Sequence, residues 1–341
     1  MRFIAFTTKG LEKVSEKEIT DTFKEAKIIE VATKRIIFDS DFNTRLASLK
    51  TIDDIGLLVH QSKTMTLDSI VSDISQAGLA SAKENIGNFR SLNNTFSLTV
   101  GLVGSLKFTA KDVIEKISHQ LSKQFGWSFT EFDHQNFDIR IFVDREELYV
   151  SVRLTKQSLG KRDYKKVSKA GSLKPTVAAA LLLLCANQNK RLRIVDSFCG
   201  SGTILCESFV AGHDVFGGDI DSESVRITKE NLNTIGCTAL DTIKHLDAKR
   251  TDWHNDYFDL AISNLPWNEK IKVESITNLY EQSIKEFARI LQPQGSLCIL
   301  VSKPELAVKY IKKFFPTKKI EILKIGLLGQ NPTIIVAAPD Y

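Results

Sequence analysis

Two kinds of apolar spacing divide the chain. In the first half, short runs rich in β-branched and aromatic residues (RFIAFTT, AKIIEVA, RIIFDS, DIGLLVHQ, TFSLTVGLV, FDIRIFVD and ELYVSVRL) predict strands. Between them, apolar residues three or four apart predict amphipathic helices over GLEKVSEKEITDTF, FNTRLASL, the stretch around Ile70 to Ile86, and Ala110 to Phe125. Residues 1–50 therefore read as a compact βαββα unit, and 51–155 as a second α/β module. Further on the style changes. RLRIVD, DVFGGD, DTIKHLD, FDLAISN and GSLCILVS are apolar on both faces and separated by helical stretches, the pattern of βαβ units around a parallel sheet. The expected fold class is α/β, with a doubly wound, mostly parallel sheet preceded by a smaller α/β region. No internal repeat or low-complexity tract interrupts this order.

With 341 residues, 43% hydrophobic and 26% charged, the chain can fill two or three cores. Its most apolar stretch, TVAAALLLLCA, is well short of the roughly 18 residues a membrane span needs and reads as a buried helix. The start, MRFIAFTTKGLEKV, lacks the long apolar run and cleavage site of a secretory signal. Cys185, Cys199, Cys206, Cys237 and Cys298 form no C-x-x-C pair, and no histidines interleave them at metal spacing. A reduced, cytoplasmic protein without a metal is expected. His60, His119, His134, His213, His245 and His254 form no constellation and are expected to be structural. Net charge is +5, but Ser151 to Pro175 holds eight basic residues (Arg153, Lys156, Lys161, Arg162, Lys165, Lys166, Lys169, Lys174) against Asp163 alone. That segment carries +7, leaving about −2 for the rest. Such a run suits a solvated linker or a phosphate backbone.

Chemistry concentrates in the second half. RLRIVD runs into SFCGSGTILCESFVAG, where Gly200 and Gly202 precede a helix. Glycines at a strand-to-helix turn let the backbone approach a ligand, and the helix start offers free N–H groups. Asp219 lies 23 residues beyond Asp196 at the end of the second strand, where doubly wound sheets hold ribose hydroxyls, and Asp247 closes the third strand. Any one of these aspartates could instead cap the following helix. Three at successive strand ends outline a crevice along one sheet edge. The third glycine of G-x-G-x-x-G and a G-K-[ST] loop are both missing, so a nucleoside without phosphates suits the crevice better than a dinucleotide. FDLAISNLPW ends the fourth strand and puts Asn264, Leu265, Pro266 and Trp267 on the same rim.

These residues carry a resemblance. DSFCGSGTILCES resembles motif I of class I S-adenosylmethionine-dependent methyltransferases, in the D-P-F-C-G-S-G-T-I-x-x-E-A form of RNA guanine-N2 methylases that carry a THUMP domain, with Ser197 in place of proline. NLPW resembles the [DN]-P-P-[YFW] motif of enzymes that methylate planar exocyclic amines. Leu265 replaces its first proline, a departure that favours RNA guanine over DNA adenine or protein glutamine. SLKPTVAAALLLL resembles the helix before motif I, MRFIAFTTKGLEKVSEKEI the opening of these enzymes, and SLGKRDYKKVSKAGSLKPT their basic linker.

The resemblance implies a ferredoxin-like domain at 1–50, a THUMP RNA-binding domain at 51–155, a basic linker at 156–175 and a Rossmann-like methyltransferase domain at 176–341. It implies S-adenosyl-L-methionine as cofactor. Asp196, Phe198, Cys199, Gly200, Ser201, Gly202 and Thr203 would lie along its methionine part, Asp219 and Ile220 at its ribose, Asp247 and Ala248 at its adenine, with Pro175, Thr176 and Asn264 closing over the methionine end. An exocyclic amine is a poor nucleophile because its lone pair is delocalised into the ring. The Asn264 side-chain oxygen and the Leu265 carbonyl would grip its two N–H groups and favour the attacking geometry. Pro266 would stiffen the loop and Trp267 stack on the base, a contact of about 1–3 kcal/mol. Lys107, Arg153, Lys161, Arg162, Lys165 and Lys166 are charge-based candidates for RNA contact. The implied partner is tRNA, gripped at its acceptor stem and single-stranded 3′ end, and the implied target is guanosine 6. Guanosine 10 and a ribosomal RNA guanine are alternatives, as are a DNA or protein methyltransferase and a non-catalytic RNA-binding protein with a vestigial fold.

Overall fold

The computed structural model describes residues 1–63, 66–88, 90–130, 136–169, 171–186, 190–267, 276–327 and 329–339. His134 lies outside the described residues. The chain forms two units, Met1–Thr7 with Ile19–Leu159 and Thr8–Glu18 with Gly160–Tyr341.

In chain order, the elements up to the linker are β1 (Arg2–Thr7), α1 (Glu12–Thr22), β2 (Lys27–Ala32), β3 (Arg35–Asp39), β4 (Ile52–Lys63), α2 (Leu67–Gln76), α3 (Leu79–Gly87), β5 (Thr95–Val103), α4 (Ala110–Phe125), β6 (Ser128–Phe129), β7 (Phe137–Asp144) and β8 (Glu147–Arg153). All eight strands join one sheet in the order β2-β3-β1-β4-β8-β7-β5-β6, so strands from 1–50 and 51–155 are hydrogen-bonded together through β1 and β4. Alternation along the strands sends Phe3, Ile36, Ile55, Ile139 and Val150 to one face, where they pack with Ile70 and Ile74 of α2, Leu79 and Ile86 of α3, and Val113, Ile117 and Leu121 of α4.

Two expected helices differ. FNTRLASL forms a short 3₁₀ turn, Thr44–Ser48, whose cap Asn43 accepts from Arg45 N–H. Leu46 is the one side chain of that turn that is buried, too little for an apolar face. The Ile70 to Ile86 stretch is two helices, because the chain leaves helical geometry at Ala77 and Gly78.

On strands β4, β7 and β8 lies a buried ionic cluster. Arg140 and Arg153 meet Asp54 at 2.9 and 3.0 Å and Asp138 at 3.2 and 3.3 Å. Burial outweighs these cations and pushes Asp54 up to about 6. A buried ion pair that loses one member leaves an uncompensated charge, typically costing about 3–5 kcal/mol. Arg153→Ala is therefore expected to destabilise the first unit by about 3 kcal/mol or more, seen as faster global amide exchange of β7 and β8 in a urea series.

In the second unit, α5 (Pro175–Cys185), β9 (Arg193–Asp196), α6 (Thr203–Val210), β10 (Asp214–Asp219), α7 (Ser222–Thr234), β11 (Ile243–His245), β12 (Phe258–Asn264), α8 (Ile276–Ile290), β13 (Leu291–Val301), α9 (Pro304–Phe314), β14 (Lys319–Lys324) and β15 (Thr333–Ala338) build a sheet in the order β11-β10-β9-β12-β13-β15-β14. β9 to β13 pair in parallel, while β15 runs antiparallel to both of its neighbours. The periodicity left β14 and β15 unassigned. β14, with Lys319, Glu321 and Lys324, is a charged edge strand of the kind that discourages further pairing. One sheet face (Ile194, Leu260, Ile262, Leu300, Ile334) packs on α5 together with Leu11 and Val14, the other (Val195, Ala261, Leu297, Ile299, Ile335) on α8 and α9. α5 is the buried helix that its sequence predicts, and no described helix is long and apolar enough to cross a membrane. The doubly wound, mostly parallel sheet is thus present, and its strand order reverses between β9 and β12, where such sheets open a crevice at their carboxyl ends.

Candidate active site

Parallel pairing brings the carboxyl ends of β9, β10 and β12, and so Asp196, Asp219 and Asn264, to one edge. Asp196 is 1% exposed. Its Oδ1 accepts from Phe198 N–H at 3.0 Å and from Ser263 Oγ at 2.6 Å. Burial, against the pull of these two donors, pushes Asp196 up to about 7, and Asp219 adds to the rise. Neither Asp196 nor Asp219 caps a helix. α6 begins at Gly202 with no side-chain cap, leaving its first-turn N–H groups directed outward, and α7 is capped by Asp221. Asp219 closes the turn instead, accepting from Gly200 N–H at 2.9 Å and Asp221 N–H at 3.0 Å.

The turn needs its glycines for two reasons. Gly200 and Gly202 have φ of +53° and +78°, and a Cβ on Gly202 would stand 2.8 Å from Thr228 Cγ2. Two residues of α7 that spacing did not reveal hold the same turn. Thr228 Oγ1 donates to Gly200 O at 2.9 Å, and Asn231 Nδ2 donates to Ser201 O at 2.9 Å. Both side chains are fully buried. Cys199 and Thr203 are buried in the turn, and Phe198 packs on the core of α8 and α9. Ser201 Oγ lies 2.6 Å from Ser172 Oγ, three residues before Pro175, which is the N1 residue of α5; Thr176 is buried beside it.

Beyond Asp219, Ile220 is 66% exposed, an apolar side chain at the crevice edge with the chemistry to lie against a purine face. Its carbonyl is 2.8 Å from His245 Nε2, a contact unforeseen in the sequence. β11 ends at His245, so Asp247 does not close the strand but sits in the turn after it, accepting from Lys249 N–H at 2.9 Å, with Ala248 buried. A helix start without a side-chain cap, a carboxylate at the end of the neighbouring strand and an exposed apolar side chain beside it are groups of the kind that bind a nucleoside bearing an amino-acid tail.

At the end of β12, Leu265 donates its N–H to Leu300 O at 3.0 Å and buries its side chain, which fixes where its carbonyl points. Asn264 Oδ1 is buried and accepts nothing among the described residues. Pro266 is half-buried. Trp267 is half-buried against the α5 core, so its ring is not free on both sides, and its indole N–H has no partner among the described residues.

The basic candidates separate. Arg153 and Arg162 are not free for phosphate. Arg153 is spent on Asp54 and Asp138, and Arg162 donates to buried Glu207 at 2.9 Å. Lys165 gives its ammonium to Leu173 O at 2.6 Å, and burial lowers its pKa. Lys107, Lys161 and Lys166 are exposed.

Residues 162–330 match the family model of the RMKL-like methyltransferase domain. They are such a domain. A tRNA (guanine(6)-N2)-methyltransferase of Thermus thermophilus is 25% identical, over 68% of this chain and 69% of that protein. A second relative of the same name, from Methanocaldococcus jannaschii, is 22% identical over 92% of this chain and 93% of its own length. The crystal structure of TrmN from Thermus thermophilus superposes with a TM-score of 0.80 at 21% identity, covering 99% of both chains, which establishes the class I methyltransferase fold. The chain is an S-adenosylmethionine-dependent methyltransferase.

The left-handed turn and the Thr228 contact make Gly202 the most restrictive position. Gly202→Ala is expected to lower stability of the methyltransferase domain by about 2 kcal/mol or more, from the αL cost and the clash together, measured by chemical denaturation.

Proposed function

We propose that this enzyme forms N2-methylguanosine in tRNA, at guanosine 6 of the acceptor stem, in the cytoplasm. The observation that carries the chemistry is the buried Asn264 oxygen, an acceptor without a donor among the described residues, at the end of the strand beside the one that runs into the glycine turn. The names of the two relatives, one of them matched over 92% of this chain, support the RNA and the position.

When bound, S-adenosylmethionine supplies an electrophilic methyl on a sulfonium. Asn264 Oδ1 takes one N–H of the guanine amine, and the Leu265 carbonyl takes the other. Held this way, the amine would lose conjugation with the ring and free its lone pair for attack on the methyl, with S-adenosylhomocysteine as leaving group and the surplus proton lost to solvent. Trp267 offers the base its uncovered face, offsetting part of the few kcal/mol needed to unstack a nucleotide from its helix. Asp196 sets the turn that receives the methionine portion. Residues 1–50 and 51–155 act as the ferredoxin-like and THUMP modules, 156–175 as the basic linker and 176–341 as the catalytic domain. Lys107, Lys161 and Lys166 are the free cations for RNA phosphate.

Nucleoside mass mapping of unmodified tRNA after incubation with enzyme and cofactor is expected to show one N2-methylguanosine at position 6. Modification at guanosine 10, or of ribosomal RNA, would move the target without changing the chemistry. Transfer to DNA or protein but not RNA, or tRNA binding with no calorimetric signal for the cofactor, would end the reading.

Asn264→Ala is expected to cut kcat by about 100-fold, the usual cost of one positioned polar group, while leaving the cofactor Kd within about twofold by calorimetry. The pH dependence has a definite sign. The Asp196 carboxyl titrates near 7 when folded and 3.8 when unfolded, so its contribution to apo stability declines as pH rises between those values. A cationic ligand favours the ionised form. Cofactor affinity is therefore expected to rise with pH through about 7 and to be flat in Asp196→Asn, measured by titration calorimetry from pH 6 to 8.5.

A further inference from the structure

The basic linker is laced onto the turn that holds the cofactor. Asn231, fully buried on α7, is the hub of this lacing. Its Oδ1 accepts from Val167 N–H at 3.4 Å, and its Nδ2 donates to Val167 O at 3.1 Å and to Ser201 O at 2.9 Å. One amide thus grips both backbone groups of a linker residue and, from the same nitrogen, a carbonyl inside the glycine turn.

Other bonds repeat the connection along the segment. Glu207 of α6 accepts from Arg162 Nε at 2.9 Å and from Tyr164 OH at 2.7 Å. Lys169 pairs with Asp221 and donates to Ser224 at 3.1 Å. Ser172 meets Ser201 at 2.6 Å. Between these anchors stands Lys166, exposed and next to Val167, with Lys161 just before the first anchor. Cations free for phosphate and the turn that receives the cofactor therefore share one hydrogen-bonded frame.

We propose that Asn231 is a positioning residue for methyl transfer, holding Ser201 O in the cofactor turn and Val167 in the RNA-facing linker in one geometry, so that cofactor and RNA bind cooperatively. Asn231 touches neither reactant. It acts through the two backbones it joins, and the coupling is reciprocal by linkage. This inference rests on the assignment of Gly200–Gly202 to S-adenosylmethionine.

Asn231→Asp tests it with almost no change of volume, replacing the amide nitrogen and its two N–H donors by one carboxylate oxygen facing two carbonyls. In the wild-type enzyme, S-adenosylmethionine is expected to slow amide exchange across residues 162–169, and unmodified tRNA is expected to tighten cofactor binding several-fold in calorimetry. In Asn231→Asp, cofactor affinity is expected to fall about tenfold, while protection of 162–169 and the tRNA effect disappear. Ser172→Ala cuts a half-exposed contact at the far end of the frame, where folding is not at risk, and is expected to halve the tRNA effect. Cofactor binding to the wild type without protection of 162–169, or an unchanged tRNA effect in both variants, overturns the inference and leaves the methyltransferase reading standing. A wild-type enzyme that binds no cofactor overturns both.

Discussion

The site depends on one buried carboxylate. Asp196 ends β9 where the strand order of the sheet reverses, and its Oδ1 is shared by Phe198 N–H in the cofactor turn and Ser263 Oγ, the residue before Asn264. A single oxygen therefore ties the glycine turn after β9 to the Asn264–Trp267 segment after β12. An isolated charge so deep would be unsustainable. The carboxyl meets this by titrating near neutrality, held there by burial, and by keeping donors aimed at it for when it ionises.

What could be read in advance was what is local. The glycines of DSFCGSGT, the aspartate 23 residues on and NLPW each sit where a strand meets its loop, and the residue types required there are dictated by backbone conformation and by the ligand. Thr228 and Asn231 were invisible for the opposite reason. They lie in the middle of an amphipathic helix, where a threonine and an asparagine look like ordinary polar positions, and their partners are about 30 residues away in the sequence. β14 hid because alternating charges on a short edge strand resemble a loop. FNTRLASL misled because its spacing was helical but its buried surface was too small. The fold class was legible because buried parallel strands must be apolar on both faces.

Charge counting shows the same division. Eight basic residues against one acid mark 151–175 as unusual, yet composition carries no information on where each cation is spent. Arg153 neutralises two buried aspartates, Arg162 ties the linker to Glu207 of α6, and Lys165 closes a bond within the linker, to Leu173 O. Arginine's fixed fork makes it the natural member of buried pairs, whereas lysine's single strongly hydrated charge tends to stay in water. The exposed Lys161 and Lys166 conform to that preference. The division is not complete, since Lys165 bonds to Leu173 O and Lys169 pairs with Asp221.

Two features of the crevice work against folding. The buried Asn264 oxygen accepts no hydrogen bond among the described residues, a deficit usually worth about 1–3 kcal/mol, and the buried Asp196 carboxyl resists ionisation at neutral pH. Selection for stability alone would remove both: a leucine in place of Asn264 would bury cleanly, and an asparagine in place of Asp196 would keep an acceptor oxygen for Phe198 and Ser263. Each defect is the kind that a specific ligand repairs, an N–H donor in one case and a positive charge in the other. The two residues end adjacent parallel strands at one edge of the sheet and are joined through Ser263, so the two repairs require two different chemical groups brought together there. A donor amine and a cationic methyl source meet that requirement, and neither a lone nucleoside nor a bare RNA strand does so by itself.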